Sequence, residues 1–206
     1  MSLQWPRGEV RQVIADALHE SLSEALTPSI THIGPINAIG CFLLKHITGV
    51  NAVPVAGSIE VACGGVPFGM EAHIENVETH LYYVWIEADL EDQGVELVDF
   101  GSRYWREWAD EQFALWAGAP PPPFIWGPKA ELPSNIVQYT AHDEITEIVR
   151  DGINRAICEQ EDEACVALWE EVINATIDRL MENDTGLQYL VDAGIAEPID
   201  DEELPE

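Results

Sequence analysis

Between Ala117 and Ser134 the chain reads AGAPPPPFIWGPKAELPS, with six prolines in eighteen residues. Proline lacks a backbone N–H and fixes φ, so this stretch is not expected to form regular structure. It reads as a rigid connection with embedded aromatics that lies over the domain. Its position divides the chain. Helical and then strand-like patterns precede it, and helical patterns alone follow it.

The first pattern, residues 8 to 27, sets Val10, Val13, Ile14, Ala17, Leu18 and Leu22 at helical spacing, with Glu9, Asp16, Glu20 and Glu24 off that stripe. A mostly buried helix is expected from about Pro35 to Thr48, because proline suits a first helical turn and Gly49 suits the stop. VNAVPVAGSIEVACGG has the β-branched content of a strand ended by Gly64 and Gly65. GMEAHIENVETHLYYVWIEADL supplies one strand or two before a turn at Glu91 to Gly94, and VELVDF returns as its partner. From Ser102, RYWREWADEQFALWAG reads as a helix with Trp105, Trp108, Ala109, Gln112 and Trp116 on one side. Beyond the prolines, HDEITEIVRDGINRAI and the segment from Asp162 to Glu182 repeat helical spacing, and a short helix is expected around Leu187 to Ala193. This order gives an α+β fold, a central antiparallel sheet flanked by helices. A length of 206 residues with 47% hydrophobic content fits a single domain over residues 1–194, followed by an acidic tail over 195–206.

Charge bounds the partners. Thirty-eight acidic residues stand against nine basic ones, for a formal net charge of -29, and only Lys45 and Lys129 are lysines. Six carboxylates lie in the tail, and the rest are spread over the chain. Such a field repels phosphate backbones and anionic membranes and favours a basic protein or peptide, or a saline medium. A salt-adapted surface and a mimic of DNA both fit this composition. No apolar run is long enough for a membrane span, and MSLQWPRGEV lacks the pattern of a secretory signal, so a cytoplasmic setting is expected. Cys41, Cys63, Cys158 and Cys165 are dispersed, without CxxC or zinc-ligand spacing. Glu71, His73 and Glu75 would share one face of an extended strand, with His80 able to close the set. Yet neither HExxH nor a paired-histidine spacing is present, so no metal or other cofactor is expected.

One constellation carries chemistry. NAIGCFLLKHITGVNAVPVAGSIEV, then YVWIE at Tyr83 to Glu87, then ELVDF at Glu96 to Phe100, follow the order helix, strand, strand, turn, strand ending in aspartate. Over roughly residues 34 to 105 this order resembles the core of the transglutaminase-like branch of papain-like cysteine enzymes. There a cysteine opens a helix, a histidine begins a strand of the form H-x-W-[VI]-E, and an aspartate ends the next strand. The resemblance implies a catalytic set of Cys41, His80 and Asp99. The thiolate would attack an acyl carbon, the imidazole would relay the proton, and the carboxylate would hold the useful tautomer.

The residues depart from that pattern at two points. Two before Trp85, where it places histidine, the chain has Tyr83, and His80 lies three residues further upstream. In a regular strand positions 80 and 83 face opposite sides. With Pro35 opening the helix, Cys41 lies nearly two turns inside it, whereas a start near Gly40 would bring the thiol to the mouth.

Three functional readings therefore stand. The first is a degenerate scaffold that binds a protein partner, with Tyr83, Trp85 and Trp126 among the aromatic binding residues. The second is a cysteine-dependent hydrolase or acyltransferase acting on amides or esters. The third is an acidic protein that is salt-adapted or mimics DNA.

Overall fold

A computed structural model describes residues 5–26, 33–62, 67–79, 81–133, 136–158 and 162–197. Two helices lead: α1 at Glu9–Ala25 and α2 at Ile33–Thr48. Four strands follow: β1 at Ala52–Val61, β2 at Phe68–Met70, β3 at Tyr83–Asp89 and β4 at Val95–Asp99. Next come α3 at Trp105–Glu111, β5 at Ile125–Pro128 and β6 at Val137–Ala141. Then α4 at Asp143–Ile153 runs into a π-helical turn at Asn154–Cys158, before α5 at Glu163–Glu182 and α6 at Asp184–Asp192. The fold is α+β, as the order of periodicities predicts.

The six strands form one antiparallel sheet in the order β2-β1-β3-β4-β5, with β6 also pairing β1. Long β1 carries β3 along Ala52–Gly57 and β2 and β6 over its C-terminal end. The sheet is covered on both faces, which is why YVWIEAD reads as a nearly continuous apolar run rather than an alternation. On one face Ala52, Ile86, Ala88 and Val98 join the core of α1, α2 and α5. On the other, Val55, Tyr83, Trp85 and Leu97 pack with Trp105 and Trp108 of α3. The start of α4 is fastened to β1 where Thr146 Oγ1 accepts from Ala56 N at 3.0 Å and donates to Ala56 O at 2.9 Å. Among the described residues no helix is long and apolar enough to cross a membrane.

The structure corrects four local expectations. Residues 74–79 form a 3₁₀ helix, not a strand, so Glu71, His73 and Glu75 do not share a strand face. The chain leaves the sheet after Met70, where Ala72 N donates to Ser58 Oγ at 2.8 Å instead of to a neighbouring strand. The proline-rich stretch contains β5, which ends the strand order, and Pro128 closes it. An edge strand tolerates proline because only one of its sides needs donors. The helix expected through Gly118 stops at Glu111, so Trp116 lies outside it. Finally, VQYTA forms β6, a strand the sequence pattern did not suggest.

Candidate functional site

The end of β4 meets the second turn of α2 in a buried polar cluster. Asp99 is fully shielded from solvent and accepts four hydrogen bonds. Asn37 Nδ2, at 2.9 Å, and Gly101 N, at 2.8 Å, donate to Oδ1. The hydroxyls of Tyr83, at 2.8 Å, and Tyr139, at 2.7 Å, donate to Oδ2. Tyr83 in turn accepts from Trp105 Nε1 at 3.0 Å. Asn37 is equally occupied: its second Nδ2 hydrogen goes to Val84 O at 2.9 Å, and its Oδ1 accepts from Phe100 N at 2.8 Å. One amide side chain thus ties a helix to β3 and to the exit of β4. Gly101 is required here for space, since a Cβ would lie 2.7 Å from Ile33 Cγ2 and 3.2 Å from Asp99 Oδ1.

The electrostatics follow from burial. Taking the Asp99 carboxyl out of water pushes its pKa up, and the donors from Asn37, Tyr139, Tyr83 and Gly101 oppose that push. Tyr83 and Tyr139 are held well above the ordinary phenol range, first by burial and then by the neighbouring Asp99 charge. Both phenols are therefore donors at neutral pH. A carboxylate with four donors and no described cation bonded to it is saturated as an acceptor.

The residues expected to form a catalytic set do not all converge. Asp99 and Tyr83 are in contact. His80 lies outside the described residues, and none of the described histidines, His19, His46, His73 and His142, is among the hydrogen-bond partners of Asp99. Cys41 is one turn beyond Asn37 in the middle of α2, so the helix start near Gly40 that would have exposed it does not occur. Its side chain is fully buried and Sγ donates to Ala52 O at 3.4 Å. Burial pushes this thiol up to about 12, against weaker opposing pulls from Lys45 and Arg150. At neutral pH it is a protonated core residue, without the exposed amides that favour a thiolate.

The expected binding aromatics are also interior. Trp85 is fully buried, donates to Glu87 Oε1 at 2.8 Å, and lies 5.3 Å from the Tyr139 ring. Trp126 belongs to the core against α1 and α2, with Arg11 5.5 Å over its ring and Trp5 at 5.6 Å. Its indole N–H has no hydrogen-bond partner among the described residues. Tyr83, Trp85 and Trp126 are therefore not contact residues of a surface, because the sheet is covered on both sides. Three members of the cluster were missing from the sequence reading as site residues: Asn37, Tyr139 and Gly101. Asn37 had a visible signal, being the one strongly polar side chain in the apolar stretch IGPINAIGCFLL.

No family model matches the chain, and no curated protein matches it in sequence. The fold is similar to a crystal structure designated genomics APC5867, with a TM-score of 0.55 and 18% identity over 82% of this chain and 79% of that one. At that identity the similarity concerns the fold alone.

Proposed function

We propose that this chain is a non-catalytic, protein-binding module on a degenerate transglutaminase-like core. One observation carries the reading: the side chain bonded to Asp99 at the position two before Trp85 is a phenol, not an imidazole. A phenol held far above its ordinary pKa does not relay a proton at neutral pH as histidine does. Asn37, which holds the other carboxylate oxygen from α2, offers no nucleophile. The interior thiol of Cys41 fits the same reading. A net charge of -29 favours a basic partner. The setting proposed with this reading is cytoplasmic.

The test is turnover of amide and ester acyl donors, with and without amine acceptors, by the wild-type chain and by Cys41→Ala. Both are expected to match the uncatalysed background. Thiol-dependent turnover abolished by Cys41→Ala would establish the hydrolase or acyltransferase reading in its place.

A further inference from the structure

The end of α3 carries a residue that the fold itself does not explain. Phe113 N donates to Asp110 O at 3.1 Å, and Ala114 N to Ala109 O at 2.8 Å, which is the paired closure of a helix through a left-handed residue. That residue is Phe113, at φ 56°, where glycine is favoured because a Cβ crowds the following carbonyl. The strain is not repaid by packing, since Phe113 is 99% exposed and nearby Leu115 is 74% exposed. The left-handed backbone opposes folding and the exposed ring contributes no burial to offset it, and such outliers gather where a protein meets something else.

The platform beneath them is fixed. The Gln112 side chain reproduces the bonding of a neighbouring strand on β2, accepting from Gly69 N at 3.2 Å and donating to Gly69 O at 3.0 Å. Trp108 and Trp116 stand edge-on to Phe68 at 5.3 and 6.0 Å. Around Phe113, α3 presents Glu107, Asp110 and Glu111 to solvent, with Arg106 its one exposed cation. The same β2 borders a cleft of about 480 Å³ whose lining includes Glu60 and Glu71. A second copy of the chain would bring its own charge of -29 to this surface and be repelled.

We propose that Phe113 and Leu115 are the apolar centre of a docking surface for a basic protein segment, whose cations meet the carboxylates around them. This deepens the reading of the chain as a protein-binding module. The probe is a fluorescein-labelled amphipathic lysine/leucine peptide, with glutamate/leucine and lysine/serine counterparts, followed by anisotropy. The lysine/leucine peptide is expected to bind best. Phe113→Gly should weaken it at least ~10-fold, as removal of a central aromatic anchor does, while raising Tm by about 2–4 °C because glycine suits the backbone. Leu115→Ser should also weaken it.

The proposal is overturned by no binding at about 100 μM peptide, by equal binding of either counterpart, or by an affinity that Phe113→Gly leaves unchanged. A dimer in sedimentation that Phe113→Gly dissociates would assign the patch to a second copy and overturn it too. Acyl turnover with peptide binding intact would remove the non-catalytic reading alone. Lost docking without turnover would remove only the docking surface.

Discussion

Tyr83→Phe deletes a single oxygen that serves two buried partners. The hydroxyl gives its proton to Asp99 and receives the Trp105 indole proton, so its loss removes a hydrogen bond to a carboxylate and strands a buried N–H. A hydrogen bond to a charged group contributes about 1.5–3 kcal/mol, and an unsatisfied buried donor costs about 1–3 kcal/mol, so about 3–5 kcal/mol of destabilisation is expected. Tyr139→Phe supplies the internal comparison, because among the described residues its hydroxyl bonds to Asp99 alone, and its loss should cost only about 1.5–3 kcal/mol. Urea denaturation followed by circular dichroism measures both, with m held constant as the sign that only stability has changed.

The pH dependence is a second readout of the same substitution. The folded-state pKa of Asp99 lies above its unfolded value near 3.8, so the folded chain holds this proton more tightly. The corresponding stability is fully present below the unfolded pKa and is lost as pH rises through the folded pKa. Removing the Tyr83 donor raises the folded pKa further. The deficit of Tyr83→Phe should therefore be larger at pH 7 than at pH 4, and Asp99→Asn should abolish that difference. A deficit below about 0.5 kcal/mol, or one independent of pH in the wild-type background, would refute the description of Asp99 as a desolvated carboxylate held by neutral donors.

Gly101→Ala should destabilise by about 1–3 kcal/mol because its Cβ would press on Ile33 and the Asp99 carboxylate, whereas Gly127→Ala, with open space at its Cβ, should stay within about 0.5 kcal/mol in the same urea series. His19, lowered to about 4 by burial and by Arg103 against the opposing pull of Asp16, should titrate near that value by NMR. Its depressed pKa contributes stability present above the unfolded value of 6.5 and lost as pH falls toward 4, so His19→Gln should flatten the stability profile across that window.

The elements that were legible in the sequence are those with a sustained period and a buried side. Helix α1 keeps a stripe of Ile14, Leu18 and Leu22, α2 an apolar run between Pro35 and Gly49, and β3 and β4 a hairpin around Gly94, whose φ of 78° suits the turn. Segments whose local pattern competes with tertiary contacts were not legible. GMEAHIENVETH alternates by composition, but its backbone turns away to meet Ser58. VQYTA is too short to announce itself, and becomes a strand only because β1 offers a partner. The site divides in the same way. Tyr83 and Asp99 lie on the two strands of one hairpin, so their proximity follows from its pairing. Asn37 and Tyr139 reach the same carboxylate from 62 residues before and 40 residues after it, a convergence that sequence periodicity does not encode.

The buried Asp99 carboxylate has a mechanical consequence, because its partners lie on elements that carry the exposed surface. Asp99 holds Tyr83, Tyr83 holds the indole of Trp105 at the first position of α3, and Trp108, one turn later, stacks on the Tyr83 ring at 5.6 Å. The other end of α3 is fixed to β2 by Gln112. Polar bonds set the direction of the helix at both ends and aromatic contacts set its depth. Apolar packing alone would allow a short helix of seven residues to slide, since dispersion contacts discriminate weakly between neighbouring registers. Donors matched to one carboxylate do not permit that sliding without leaving a buried group unsatisfied. The Asp99 cluster and Gln112 together therefore hold the backbone that presents Phe113 in one place, and a fixed backbone loses less conformational freedom on binding than a mobile one.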